Sequence, residues 1–407
     1  MIDATQPRTS LGTKLPVVVM AAALFALLAF APFASAASDP LGSGTTTLKL
    51  NKGFAKALKK NGVKVLKVSP ATVKGTTVTL PVSGGSLDPT TGQGTVNHSG
   101  GIKFKAGKKS ATLTSFVLDT TKKSLSAKLG KKNLQVASVV GLSFTREGFG
   151  TNVKVGKLKL TSKAAKELNT KLGFGGKNGK KHKRASVSKA SSKGVFKANQ
   201  VLGGSTSVAQ PSTVTILPGG NATLTTSLPT VIKLTKVKVG IETIAPTTVA
   251  AAGPPPAYAF PIVGESISTT ATAGIVKTAG GLKLSQVFVP GSVETTMTLG
   301  AIWVDLGAKT ASVEVLVQSK GISEKLNLGS LGRSSIADIS LTGATVTANP
   351  TTRTVSVQNA TATLQAVTAE TLNSVFVEPF EKITASKAEH FAAGDPLGTF
   401  SFTAQTQ

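Results

Sequence analysis

Apolar and polar residues alternate in short runs over most of the chain, the period-2 pattern of half-buried strands. TTTLKL (45–50), VKVLKV (63–68), TTVTLPV (76–82), GIKFKA (101–106), SATLTSFVL (110–118) and SLSAKL (124–129) are separated by Gly, Pro, Asn or Asp. Each reads as a β-strand. Two segments follow a longer period. In NKGFAKALKKNG (51–62), Phe54, Ala57 and Leu58 share one helical face, Lys52, Lys56, Lys59 and Lys60 fill the rest, and Asn61-Gly62 forms the stop. TSKAAKELNTKLG (161–173), capped by Thr161 or Ser162, is a second short helix.

The pattern occurs twice. Residues 44–73 lie without a gap over 220–249, and 80–104 over 260–284, with Pro81/Pro261, Gly84/Gly264, Gly94/Gly274 and a Gly-Gly pair in common. LTSKAAKELN (160–169) matches LQAVTAETLN (364–373), and 194–210 matches 388–405. In the second copy SLPTVIKLTK replaces the first helix, with Pro229 placed to open one. The expectation is a mainly β protein of two homologous antiparallel β-sandwich or β-roll domains, 38–211 and 212–407, each with one or two short helices. GFGGKNGKKHKRASVSKASSKG reads as a flexible basic insertion (173–195) in the first unit, with a shorter, more acidic counterpart, VEPFEKITASKAEH, in the second.

Charge separates the two copies. From 38 to 200 there are 30 Lys and 2 Arg against 5 acids, whereas 201–407 has as many acids as bases. A basic half suits an anionic neighbour, either cell-wall polymer or a membrane surface, and Lys177, Lys180, Lys181, Lys183 and Arg184 are candidate contacts. Solvated lysines on strand faces are the alternative reading. Nucleic acid is not expected, because Lys outnumbers Arg and the basic half has no Tyr or Trp for stacking.

At the N-terminus, Arg8 and Lys14 precede the apolar run 15–33 and Ala34-Ser35-Ala36. That arrangement predicts a signal peptide (1–36) cleaved after Ala36 and an exported chain; an uncleaved membrane anchor is the alternative. There is no cysteine, which excludes disulfides and thiolate chemistry. No P-loop, GxGxxG, GxSxG or HExxH motif occurs, and the three histidines (His98, His182 and His390) are never paired at ligand spacing. An enzyme is not expected.

The repeated unit resembles the haemin-transport-associated, HtaA-like, domain family. The resemblance rests on His98-Ser-Gly-Gly-Ile102, on the strand pair SATLTSFVLDTTKKSLSAKL, and on the ending HFAAGDPLGTF. It implies an antiparallel β domain that binds haem at a cell surface, with an iron-ligating Tyr supported by the histidine. That aromatic-then-Tyr pattern falls here on Phe54 and Ala57, and the one Tyr of the chain is Tyr258 in the other copy. His98 and His182 remain as donors in the first unit, and Tyr258, Met297 and His390 in the second. His98 is therefore the candidate contact for haem or another hydrophobic ligand. Its second reading is an exposed turn residue beside Gly-Gly, since the other copy has Thr278 in its place.

Overall fold

A computed structural model describes residues 38–174, 194–290, 292–322 and 326–407. The segment expected to direct export, His182, and the basic cluster Lys177, Lys180, Lys181, Lys183 and Arg184 lie outside the described residues. No helix among those described is long and apolar enough to cross a membrane.

The first unit runs β1 (Asp39–Leu50), α1 (Lys52–Lys60), β2 (Val63–Val68), β3 (Thr72–Lys74), β4 (Thr77–Leu87), β5 (Gly94–His98), β6 (Gly101–Ala106) and β7 (Lys109–Asp119). It continues with β8 (Ser124–Leu129), β9 (Lys132–Glu147), β10 (Gly150–Leu160), α2 (Ser162–Leu172) and β11 (Val201–Pro211). The second unit repeats the order: β12 (Thr213–Ile216), β13 (Asn221–Thr226), α3 (Leu228–Lys236), β14 (Val239–Ile244), β15 (Thr248–Ala251), β16 (Ala257–Ser268) and β17 (Ile275–Thr278). Then come β18 (Gly281–Val289), β19 (Val293–Asp305), β20 (Thr310–Lys320), β21 (Gly329–Ser340), β22 (Thr345–Asn349), β23 (Thr354–Leu364), α4 (Ala366–Leu372), α5 (Glu378–Thr384) and β24 (Pro396–Gln405).

Both units are antiparallel β, as the alternation predicts, and each sheet closes on itself. In the first, the path β7-β5-β4-β1-β11-β10-β9-β8 returns to β7. In the second, β19-β17-β16-β13-β24-β23-β21-β20 returns to β19. Closure pairs every strand of the ring on both sides and removes the free edges that a sandwich would leave. The registers coincide across the duplication: Thr46 faces Ser207 and Leu80, and Ala222 faces Phe402 and Phe260.

Capping fixes the helices. Asn51 Oδ1 accepts from the backbone N–H of Gly53 and Phe54, and Thr161 Oγ1 from that of Ala164. Ser227 caps α3, with Pro229 in its first turn as expected. The segment VEPFEKITASKAEH, expected as the acidic counterpart of the basic insertion, is largely helical. Helical backbone runs on from α4 through one π turn (Asn373–Val377) into α5, burying Val375, Phe376, Val377 and Phe380.

The repeated Gly-Gly pair has a packing cause. Gly100 has φ +76°, and a Cβ there would stand 2.5 Å from the backbone N of Ala71; one at Gly280 (φ +81°) would stand 2.6 Å from that of Thr247. Only glycine allows both the conformation and the approach.

Candidate functional site

His98 ends β5 with 4% of its surface exposed, so it is not the exposed turn residue of the second sequence reading. Its Nδ1 lies 3.0 Å from the carbonyl O of Phe116 and its Nε2 2.6 Å from Thr46 Oγ1, which also lies 2.7 Å from Ser207 Oγ. A carbonyl can only accept, so Nδ1 carries the proton, and the one hydroxyl proton of Thr46 lies between Nε2 and Ser207 Oγ. Burial pushes the imidazole below its ordinary 6.5, partly opposed by the bond to the Phe116 carbonyl. The cavity beside the ring holds about 20 Å³ and is walled mainly by leucines. Both ring nitrogens are thus engaged by the protein, and iron could bind His98 only by displacing one of these partners.

The second barrel shows why the position exists. Thr278 occupies the register of His98: Val82 faces His98 and Ile262 faces Thr278. Thr278 Oγ1 donates to the carbonyl of Ile302 at 2.9 Å. Phe116 and Ile302 each follow a residue of positive φ, Ser115 (51°) and Ala301 (46°), where the strand bulges and its ladder is interrupted. The side chain at 98 or 278 satisfies a buried carbonyl freed by that bulge. Around it the buried set Thr46, His98, Ser207 becomes Ala222, Thr278, Phe402, so bulk lost at one position is regained at another.

The other candidate donors do not converge. Ala57 lies on α1 beside the buried Phe54. Tyr258 is buried in the second core, which raises its phenol pKa, while His390 lies 3.6 Å from Glu381 near the surface. Met297 lines the main apolar pocket found among the described residues, about 140 Å³, between α3, α4 and the strands β18–β21. Neither Tyr258 nor His390 reaches its wall. This pocket is visible in the sequence only by comparing copies, where Thr230 stands over Phe54.

Charge is also handled differently. Lys64 faces Lys105 across β2 and β6, and Lys103 faces Leu66. At the same positions of the second barrel, Gly240 faces Ser285 and Lys283 faces Glu242, with Nζ 3.2 Å from the carboxylate. Among the described residues the first unit has two ion pairs, Lys122–Asp119 and Lys132–Glu167.

Where the units meet, Asp39 Oδ1 accepts from the backbone N–H and hydroxyl of Thr215, and Arg146 donates to the backbone O of Gln407. Phe149 packs into the second core. Asp39 Oδ2 has no hydrogen-bond partner among the described residues. Burial drives this carboxyl from 3.8 up to about 6, against the bonds from Thr215 and the charge of Arg146.

Together the described residues form a tandem of two closed β-barrels, one basic and one neutral with an apolar pocket. No protein-family model matches the chain, and no curated protein matches it. Among solved structures it is similar to three from Corynebacterium glutamicum. These are the C-terminal domain of HtaA (10% identity, 48% of this chain and 99% of that one, TM-score 0.32), the haem-binding protein HtaB (12%, 48% and 96%, 0.31), and the N-terminal domain of HtaA (15%, 47% and 99%, 0.32).

Proposed function

We propose that the protein is a non-catalytic, exported binding protein of HtaA-like type whose first barrel docks on an anionic cell-wall polymer or membrane surface. The observation that carries this reading is the Lys64–Lys105 pair. Like charges directly opposite on a sheet are unfavourable, and the second barrel has neutral residues there while pairing its nearby lysine with Glu242. A polyanion laid along β2 and β6 would supply the missing counter-charge, with a strength that falls steeply as salt rises. The test is elution of residues 38–407 from an immobilised anionic polymer in a salt gradient. Lys64→Glu with Lys105→Glu should elute at clearly lower salt; unchanged elution would remove this face from the interaction.

A hydrophobic ligand is the second reading, favoured by the apolar pocket of the second barrel. Haem, as the resemblance to HtaA-like domains implies, would need a site other than this pocket of about 140 Å³, and haemin titration followed at the Soret band tests it. A saturable shift lost in His98→Ala would place haem at the first barrel. A shift retained in that variant would remove His98 from the haem site, and a flat titration would exclude haem.

A further inference from the structure

The duplication lets one barrel serve as the control for the other. In the first barrel the space under α1 is closed by Phe54, whose ring meets Phe196 edge-on at 6.0 Å, and only about 30 Å³ is left. The second barrel keeps the frame. Asn373 holds the backbone of Phe391 through its amide, just as Asn169 holds that of Phe196. It loses the filling: Thr230 replaces Phe54, Leu284 replaces Phe104, and Ser334 stands in the register of the buried Leu134. Met297, in place of Ala111, returns part of the volume, and the cavity that remains is about 140 Å³. Unfilled apolar space of this kind is unfavourable in a packed core. A bound hydrocarbon would offset that cost.

Three features set the class of occupant. Among the described residues no charged side chain lines the pocket, so an ionic group inside would be desolvated without a partner from them. Its mouth is apolar as well: Val367 is 69% exposed and Leu331 44%, so the hydrocarbon extends past the cavity onto the lip. The Ser334 and Thr368 hydroxyls on the wall have no protein hydrogen-bond partner among the described residues, leaving them for one neutral polar group. A porphyrin is too large, since an apolar cavity of about 150 Å³ is filled by a benzene-sized molecule.

We infer that this pocket binds the alkyl chain of an uncharged single-chain amphiphile, the hydrocarbon end lying between α3, α4 and β21. The inference deepens the hydrophobic-ligand reading and is independent of the docking face on the first barrel.

The test is calorimetric titration of residues 38–407 with the straight-chain alcohols from 1-butanol to 1-decanol. Affinity should rise about fourfold per methylene, the increment for burying one CH₂, and level off once pocket and lip are covered. Ser334→Leu restores the first barrel's residue without removing a protein hydrogen bond, and should weaken 1-octanol at least tenfold while raising Tm. Thr230→Phe provides a second block. Absence of saturable binding, affinity independent of chain length, or full binding by both folded variants would overturn the inference. So would octanoate binding as tightly as 1-octanol. Haemin binding with no alcohol binding would overturn it too, while leaving the hydrophobic-ligand reading intact.

Discussion

His98 and Thr278 hold the same register position in two barrels, and each side chain bonds to the carbonyl of the residue after a positive-φ bulge, Phe116 or Ile302. An imidazole spans to Thr46 as well; a threonine hydroxyl does not, and Phe402 fills the difference in bulk. The histidine is one of two solutions to a single backbone problem.

It follows that His98→Ala should destabilise the protein by about 2–4 kcal/mol, combining an orphaned carbonyl with a cavity. His98→Thr alone keeps a donor but leaves a void. His98→Thr with Thr46→Ala and Ser207→Phe copies the second barrel and should recover most of the loss. Urea denaturation of the three variants checks the order; a triple variant no better than His98→Ala would sink the compensation argument.

Two buried groups give pH dependences of opposite sign. His98 is held neutral, so its contribution is present above about 6.5 and is lost as pH falls below that value towards its depressed folded pKa. Asp39 is raised to about 6, so its contribution is present below 3.8 and is lost as pH rises through about 6. Asp39→Asn should therefore raise Tm at pH 7.5 and change it little at pH 4. An equal effect at both values would show that the carboxyl is not protonated in the fold.

Leu66→Glu reproduces the Lys283–Glu242 pair on the first barrel by giving Lys103 a partner. Stability should rise by no more than about 1 kcal/mol, as for a cross-strand pair of opposite charge. Retention on an anionic matrix should fall in the same variant, and stronger retention would contradict the docking face.

Phe149 belongs by sequence to the first unit and by packing to the second core. Phe149→Ala should cost about 3–5 kcal/mol, chiefly at the junction. Limited proteolysis should then cut between the units sooner, each fragment keeping its β circular dichroism.

The alternation in TTTLKL or SATLTSFVL, the cap at Thr161, and the duplication were legible because they depend on neighbouring residues. Barrel closure was not: it rests on β7 pairing with β5 past β6 and on β1 pairing with β11, which no local pattern encodes. The burial of His98 was hidden for a related reason. A histidine next to Gly-Gly looks like a turn, and its partners Thr46 and Phe116 are 52 and 18 residues away. The pocket did leave a trace, since Phe54 over Thr230 is a lost ring in a gapless alignment. Its meaning lies in their placement, Phe54 on α1 filling the space that Thr230 on α3 leaves open.

Each ring of strands is completed by its own residues, so the ladder of one barrel does not run into the other, and the bonds between them are confined to the junction, such as Ser212 N–H to the Pro40 carbonyl and Thr215 N–H to Asp39. A copy built this way can exchange a polar core for an aromatic one, or empty a space its sibling keeps filled, without unravelling the neighbour. Self-sufficiency of the sheet is what left the two halves free to specialise, one in charge and the other in cavity.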